Sequence, residues 1–401
     1  MNKIAFLLLS TISLAQSVTK SMLLLPDTGQ TTSYTTTFGE DHDYSINVPS
    51  FSNNGDGTIT DNVTHLMWQQ TDGGEMTVEN AITYCSTLAL GGYSGWRLPT
   101  PMEAMSILNL QKNNPSMDIV YFPSTGAEYW WTNTFQVGDN TKVWCTNSGG
   151  GIGNKPKTET ISAGGTKSYH VRAVRDITTP VVLPNHFTDN GNGTITDNIT
   201  QLVWQKVPNP NLFNWEQAIA YAEGLTLASA TDWRLPNIKE LQSLNMESTS
   251  SPSVNTTYFS TIGVHNYWSS TTLLPNPANL TSAWYWNTQF GITTYDTKTN
   301  TNYVICVRGN PTLSSTEYTF ENEIKVYPNP ASNYIKINFP KVLNLVQIEI
   351  TDTLGKIVFS KEEKSISNEY KIDIKDFSEG IYFVQVTNDN QKQTYKVLVK
   401  K

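Results

Sequence analysis

An internal repeat limits what this chain can fold into more than any other feature. Phe51 to Gln69, FSNNGDGTITDNVTHLMWQ, returns as Phe187 to Gln205, FTDNGNGTITDNITQLVWQ, at an offset of 136 residues. The match runs on: Glu79 with Glu216, WRLPT at Trp96–Thr100 with WRLPN at Trp233–Asn237, Glu103 with Glu240, Trp131 with Trp268, Trp144 with Trp284. Two tandem units of one kind follow, 51–176 and 177–310, with 16–50 as a lead-in to the first.

Each unit opens with short β-prone runs broken by Asn, Asp and Gly, which predicts a hairpin or three-strand meander. Asn54, Asp56 and Gly57 fall at positions 3, 5 and 6 of an EF-hand-like loop. Positions 1 and 12 would then be Ser52 or Thr188 and Val63 or Ile199, which supply no carboxylate, so turn chemistry is the better account and no metal site is expected. A helix follows in each copy, capped by Thr77 or Asn214, with Glu79 or Glu216 in the first turn where the helix dipole favours an anion. The W-R-L-P box then leads into a second helix beginning near Pro101 or Ile238. Arg97 and Arg234 each stand six residues before Glu103 and Glu240, a spacing that suggests an Arg–carboxylate pair pinning the loop to that helix.

Eight of the 11 tryptophans fall in the four matched pairs, so Trp68, Trp204, Trp96 and Trp233 are expected to be structural along with the two arginine–glutamate pairs. Trp130, Trp215 and Trp286 are unmatched and are the candidates for exposure and ligand stacking, with Asn147 and Asn287 in nearby loops as hydrogen-bonding partners. The three cysteines leave their pairing open. Cys85 lies on the first helix where the second copy has Ala222, and Cys306 lies on the last strand where the first copy has Ala173; Cys85 can also pair with Cys145. Three thiols in an exported chain cannot all pair internally.

The charge pattern excludes nucleic acid as a partner. The first unit carries 8 basic and 11 acidic residues and the second 5 and 8, with only Lys155, Lys157 and Lys167 forming a modest basic group. None of the five histidines is matched between copies, and no G-x-S-x-G, H-E-x-x-H, phosphate loop or CxxC pair occurs. The matched carboxylates all have turn, capping or pairing roles, so no catalytic residue, no cofactor and no enzymatic activity are expected. Residues 1–15, with Lys3, an apolar run and small residues before Gln16, have the form of a secretory signal peptide. No segment approaches the ~20 apolar residues of a transmembrane helix. Leu25-Pro26-Asp27-Thr28-Gly29 has the form of a sortase signal but lacks the apolar and basic tail behind it, and is read as a turn.

LPDTGQTTSYTTTFGEDHDY, NNGDGTITDNVTHLMWQ, GGYSGWRLPT and the closing HVRAVR together resemble the family typified by the C-terminal domain of a bacterial collagen-like adhesin. That resemblance implies an α+β fold of two tandem C-type-lectin-like domains, related to the formylglycine-generating enzyme fold, and a binding role toward sulfated glycosaminoglycans. The acidic surface here fits a neutral or cell-wall glycan, or a protein, better than heparin. The calcium motif of true C-type lectins is absent, and neither repeat can build a two-cysteine copper-type site.

Past a linker at 311–320 the composition changes: tryptophan disappears, and short alternating strands recur through 321–401. YPNPASNYIKI, ITDTLGKIVFS, FSEGIYFVQV and KVLVKK resemble the type A C-terminal sorting domain of type IX secretion. The resemblance implies an all-β Ig-like sandwich, handling by the type IX machinery, and either release or attachment to surface lipopolysaccharide at the outer face of the outer membrane. Two functional readings follow from different classes: a surface adhesin-like glycan-binding module, and a structural or protein–protein component of the cell surface. An enzyme on the formylglycine-generating-enzyme-like scaffold stands a distant third.

Overall fold

The computed structural model describes residues 17–44, 46–123, 129–158, 169–274, 280–309, 325–353, 355–388 and 391–401. The signal peptide, Lys167 and the 311–320 linker lie outside the described residues.

The duplicated opening run builds the same four-stranded antiparallel sheet twice. Phe51–Asn53, Thr58–Asp61, Leu66–Gln69 and Val174–Asp176 lie in that order in the first copy; Phe187–Asp189, Thr194–Asp197, Val203–Gln205 and Val307–Arg308 do so in the second. Local side chains make the turns. Asn53 Oδ1 accepts from Gly55 N, and Asp56 Oδ1 accepts from Thr58 N and Oγ1; in the second copy Asp189 and Asn192 accept from Gly191 N and Thr194 Oγ1. Gly57 and Gly193 sit at φ +86° and +88°, where a β-carbon would be strained. These side-chain oxygens thus cap donors of the turns' own backbone and hydroxyls. Within each sheet the pattern buries Ile59, Trp68 and Val174, or Ile195, Trp204 and Val307, as cross-strand neighbours.

Each copy adds two short helices, α1 (Val78–Thr87) and α2 (Pro101–Ser106) in the first, α3 (Trp215–Gly224) and α4 (Ile238–Ser243) in the second. Thr77 and Asn214 cap α1 and α3, accepting from Asn80 N and Gln217 N. Thr100 with Glu103, and Asn237 with Glu240, close reciprocal capping boxes on α2 and α4. With these four helices against six sheets, the described architecture is mostly β.

The copies do not sit as beads on a string. Ile59, Trp68, Trp144 and Ile152 from the first and Ile195, Trp204, Trp284 and Trp286 from the second belong to one continuous buried cluster, to which Met22 and Leu25 of the lead-in also contribute. Each copy keeps a smaller cluster of its own beneath α1 or α3. Along the seam the strand Ile152–Pro156 meets Ile292–Thr297, and Ile152 N donates to Thr293 Oγ1 at 2.9 Å. Lys239 of α4 crosses into the other half. Its fully buried ammonium donates to the carbonyls of Asp27, Ser106 and Leu108 at 2.7–2.9 Å.

The lead-in, although it precedes the first copy, bonds extensively to the second. Thr272 Oγ1 donates to Glu40, Thr35 Oγ1 to Glu216 and Tyr44 OH to Glu223. The strand Val18–Lys20 pairs antiparallel with Val181–Leu183 between the copies.

The C-terminal domain is a single five-stranded sheet, Lys325–Tyr327, Tyr334–Asp352, Ile357–Asp373, Gly380–Asn388 and Gln391–Val399. The sequence expects Tyr334–Phe339 and Val346–Thr351 as separate strands; they are one 19-residue strand with a register shift between Phe339 and Leu343. Ile335, Ile337 and Ile372 from one half share a buried cluster with Ile348, Val384 and Val397 from the other. The core comes from one long folded sheet with its own apolar interior.

Candidate functional site

The three unmatched tryptophans correct the expectation of exposure. Trp130, Trp215 and Trp286 are all buried, and none offers a ring face to solvent. Trp286 fills the shared core at the place where the first copy has Thr146, and Trp215 begins α3 where α1 begins with Val78. Trp215 Nε1 donates to Ser269 O, and the Lys298 ammonium lies 3.7 Å from its ring centre. A residue present in only one copy thus marks a difference in interior space as readily as a surface. Asn147 and Asn287 form turns: Asn147 Oδ1 accepts from Gly149 N and Gly151 N, and Asn287 Oδ1 from Gln289 N and Phe290 N.

The matched residues do structural work. Trp68, Trp204, Trp96 and Trp233 are buried. Arg97 contacts both oxygens of Glu103 at 2.7 and 2.8 Å and reaches Asp176 at 3.0 Å; Arg234 contacts both oxygens of Glu240 at 2.6 Å. The same glutamates accept from the backbone N of Thr100 and Asn237, so each closes its capping box and its arginine fork together. The paired guanidinium holds Glu103 below the usual carboxylate range against the opposing effect of burial. No disulfide joins Cys85, Cys145 or Cys306, all of which are buried. Cys85 packs in one core with Ala173, and Ala222 in one core with Cys306, so helix and last strand do face each other in both copies.

Divergence between the copies converges instead on a polar group in the first. His170 lies between Glu75 and Trp130, bridged to each through the backbone. Its Nδ1 is 3.0 Å from Asp72 Oδ2 and its Nε2 is 3.7 Å from Glu75 Oε1, while Trp130 Nε1 donates to the same Asp72 oxygen at 3.4 Å. The Asp72 carboxylate raises the His170 pKa; burial pushes Asp72 up, but His170, the Arg172 charge and the Gly74 N–H together bring its pKa below the usual value. Beneath them Arg172 is buried, its guanidinium 5.1 Å from the Phe122 ring centre, with Nη1 donating to the carbonyls of Gln69 and Gln70. Burial lowers the Arg172 pKa to about 10, opposed by the Asp72 charge.

In the second copy the matching positions are Tyr267 for Trp130, Tyr303 for His170 and Ile305 for Arg172, with His265 stacked on Tyr303 at 4.2 Å. The same place is therefore charged in one copy and aromatic in the other. Unmatched His170 and Arg172 were the available signal in the sequence; what it lacked was Asp72, drawn from a loop 98 residues away.

Tyr129 and Tyr169 precede Trp130 and His170 by one residue each, so strand alternation turns their rings to the opposite face from the polar group. Tyr129, whose carbonyl accepts from His170 N, stacks on Tyr169 at 4.7 Å with Lys155 above it, and exposed Phe135 carries Lys157 at 5.8 Å. Lys157 also pairs with Glu79 at 2.8 Å. The partly exposed Glu75 carboxylate and His170 ring present an acceptor and a donor, which is hydrogen-bonding chemistry for a polyhydroxylated ligand.

Three similarities to known proteins accompany this geometry. The family model described as the Lcl C-terminal domain matches residues 57–175 and again 193–308. The secretion system C-terminal sorting domain matches residues 325–400. An endo-acting ulvan lyase of Formosa agariphila is 35% identical over 83 residues, which is 20% of this chain and 15% of that protein.

Proposed function

Since this chain belongs to the Lcl C-terminal domain family and carries a secretion system C-terminal sorting domain, we propose that it is an adhesin-like protein whose first repeat binds a glycan. The sorting domain marks it for secretion and surface attachment by the type IX machinery. No described helix is long and apolar enough to cross a membrane. The observation that carries the glycan reading is the partly exposed Asp72–Glu75–His170 group, present in one copy and replaced by aromatics in the other. A C-type-lectin-like fold for the two repeats accords with such a role. The group sets two carboxylates against one imidazole, with the Arg172 guanidinium buried beneath, so the site suits an uncharged sugar better than a sulfated one. Attachment to surface lipopolysaccharide belongs to the same proposal. The ulvan lyase similarity covers too small a share of that protein to carry its activity here, and the binding reading needs no catalytic residue.

The test is retention of the full chain on immobilised polysaccharides and cell-wall material at two salt concentrations, with His170→Ala and Glu75→Gln alongside. Binding to a neutral glycan that survives salt and is lost in both variants is the expected outcome. Retention on no sugar sinks the proposal, and retention only on sulfated chains at low salt sinks the charge argument. A second reading, a protein–protein component of the surface, rests on Val181 and Val182, which are exposed on the two-stranded ribbon between the copies. Capture of purified surface proteins that is lost in Val182→Lys favours it.

A further inference from the structure

We propose that the second repeat and the lead-in form a docking site for the chain's own sorting domain, built from Phe38, Tyr44 and Glu223 and filled by Phe383 and Lys396. Phe383 and Lys396 stand opposite each other in the register of the strands Gly380–Asn388 and Gln391–Val399. Their neighbours Tyr382, Val384 and Val397 point into the sorting domain's core, so strand alternation turns Phe383 and Lys396 to its outer face. On that face both are covered. Phe383 is 5% exposed with its ring centre 3.9 Å from that of Phe38, and Lys396 Nζ donates to Glu223 O at 2.7 Å and approaches its Oε2 at 3.4 Å.

The receiving side is also constructed. Glu223 lies in the last turn of α3, where the helix carbonyls favour a cation. Tyr44 OH donates to Glu223 Oε1 at 2.7 Å, Phe38 packs edge-on against Tyr44 at 5.6 Å, and the Arg234 guanidinium lies 5.3 Å from the Tyr44 ring centre. Gly39, at φ +113°, lets the lead-in pass over α3; a β-carbon there would stand 2.7 Å from Ile219 and 2.9 Å from Glu223. The first repeat has no such site. Ser86 stands at the place of Glu223 and Ile82 at that of Ile219, and both are exposed on α1. A difference between the copies therefore falls where the sorting domain sits.

The site is composite. The lead-in, α3 and the W-R-L-P arginine must be assembled before Lys396 finds its partner, so docking joins the sorting domain to a folded cargo and not to an unfolded one. While docked, the Phe383–Lys396 face is withheld from any other partner, and separation of the domain uncovers Phe38, Tyr44 and Glu223.

A zero-length carbodiimide applied to the full chain, followed by peptide mass spectrometry, tests the contact without any substitution. A Lys396–Glu223 linkage is the expected product; linkage at the exposed Lys206–Asp189 pair, 2.6 Å apart, with none at Lys396 overturns the proposal. Lysine acylation gives a second readout. Lys396 should react severalfold more slowly than the exposed Lys375, and Phe38→Ala should remove that protection while leaving Lys375 unchanged. Equal rates in the unsubstituted chain, or protection that persists in Phe38→Ala, count against docking at this site.

Discussion

His170 and Asp72 act on each other through one 3.0 Å contact, and its consequence for pH has a definite sign. His170 titrates above its unfolded value of ~6.5, so its contribution to stability is complete below that value and is lost as pH rises through the folded pKa. Asp72 titrates below its unfolded value of ~3.9, so its share is present above that and is lost in acid. The pair therefore works from mild acid to neutrality. Replacing Asp72 with Asn should lower the His170 pKa in an NMR titration, and an unchanged midpoint contradicts the assignment. Arg234 is the other residue whose removal has a clear cost, since Glu240 beside it is buried and would lose its partner. Arg234→Ala should destabilise the chain by ~3–5 kcal/mol in denaturant unfolding. Arg234→Lys should recover only part of this, because an ammonium cannot make the two-pronged contact.

At the scale of elements, α4 joins the halves through Lys239, whose place in α2 is taken by Met102. Burial lowers the Lys239 pKa to about 8, yet its three protons all meet carbonyls, two near the end of α2 and one in the lead-in. Lys239→Met should cost on the order of 2–4 kcal/mol, because it leaves those buried acceptors without a donor. Beside it, burial raises Asp27 to about 6. The folded state then holds a proton that the unfolded chain releases near pH 4, so Asp27 favours folding in acid and this contribution declines as pH rises toward 6. Asp27→Asn should gain stability relative to the parent between pH 4 and pH 7. Parallel curves for the two proteins across that range refute the argument.

Among the described residues one buried cluster is shared by both repeats, each repeat keeps a smaller one of its own, and the sorting domain has a separate one. A shared core makes the repeats fold together, so calorimetry should show one transition for the pair and a separate one for the sorting domain. A thiol reagent should react with none of Cys85, Cys145 and Cys306 in the native protein and with all three once it unfolds. Burial supports this by pushing the Cys85 thiol up to about 12 and raising that of Cys306. Early modification at neutral pH shows that the cores open more readily than their packing implies.

What depends on neighbours close along the chain was legible in the sequence. The Asn, Asp and Gly turns, the caps at Thr77, Thr100, Asn214 and Asn237, and the forks from Arg97 and Arg234 to glutamates six residues on involve only short spacings, and duplication singled them out. The motifs also identified the family and the sorting domain. Only the tertiary structure decided which unmatched residues are inside. Trp286 is buried in the core that the copies share, Trp215 in the second copy's own core and Trp130 against Asp72 of the first, while Asp72 meets His170 and Glu223 meets Lys396 across 98 and 173 residues of chain. A repeat records what both copies need alike; the contacts that make the copies unlike join residues far apart in the chain, where no sequence period reaches.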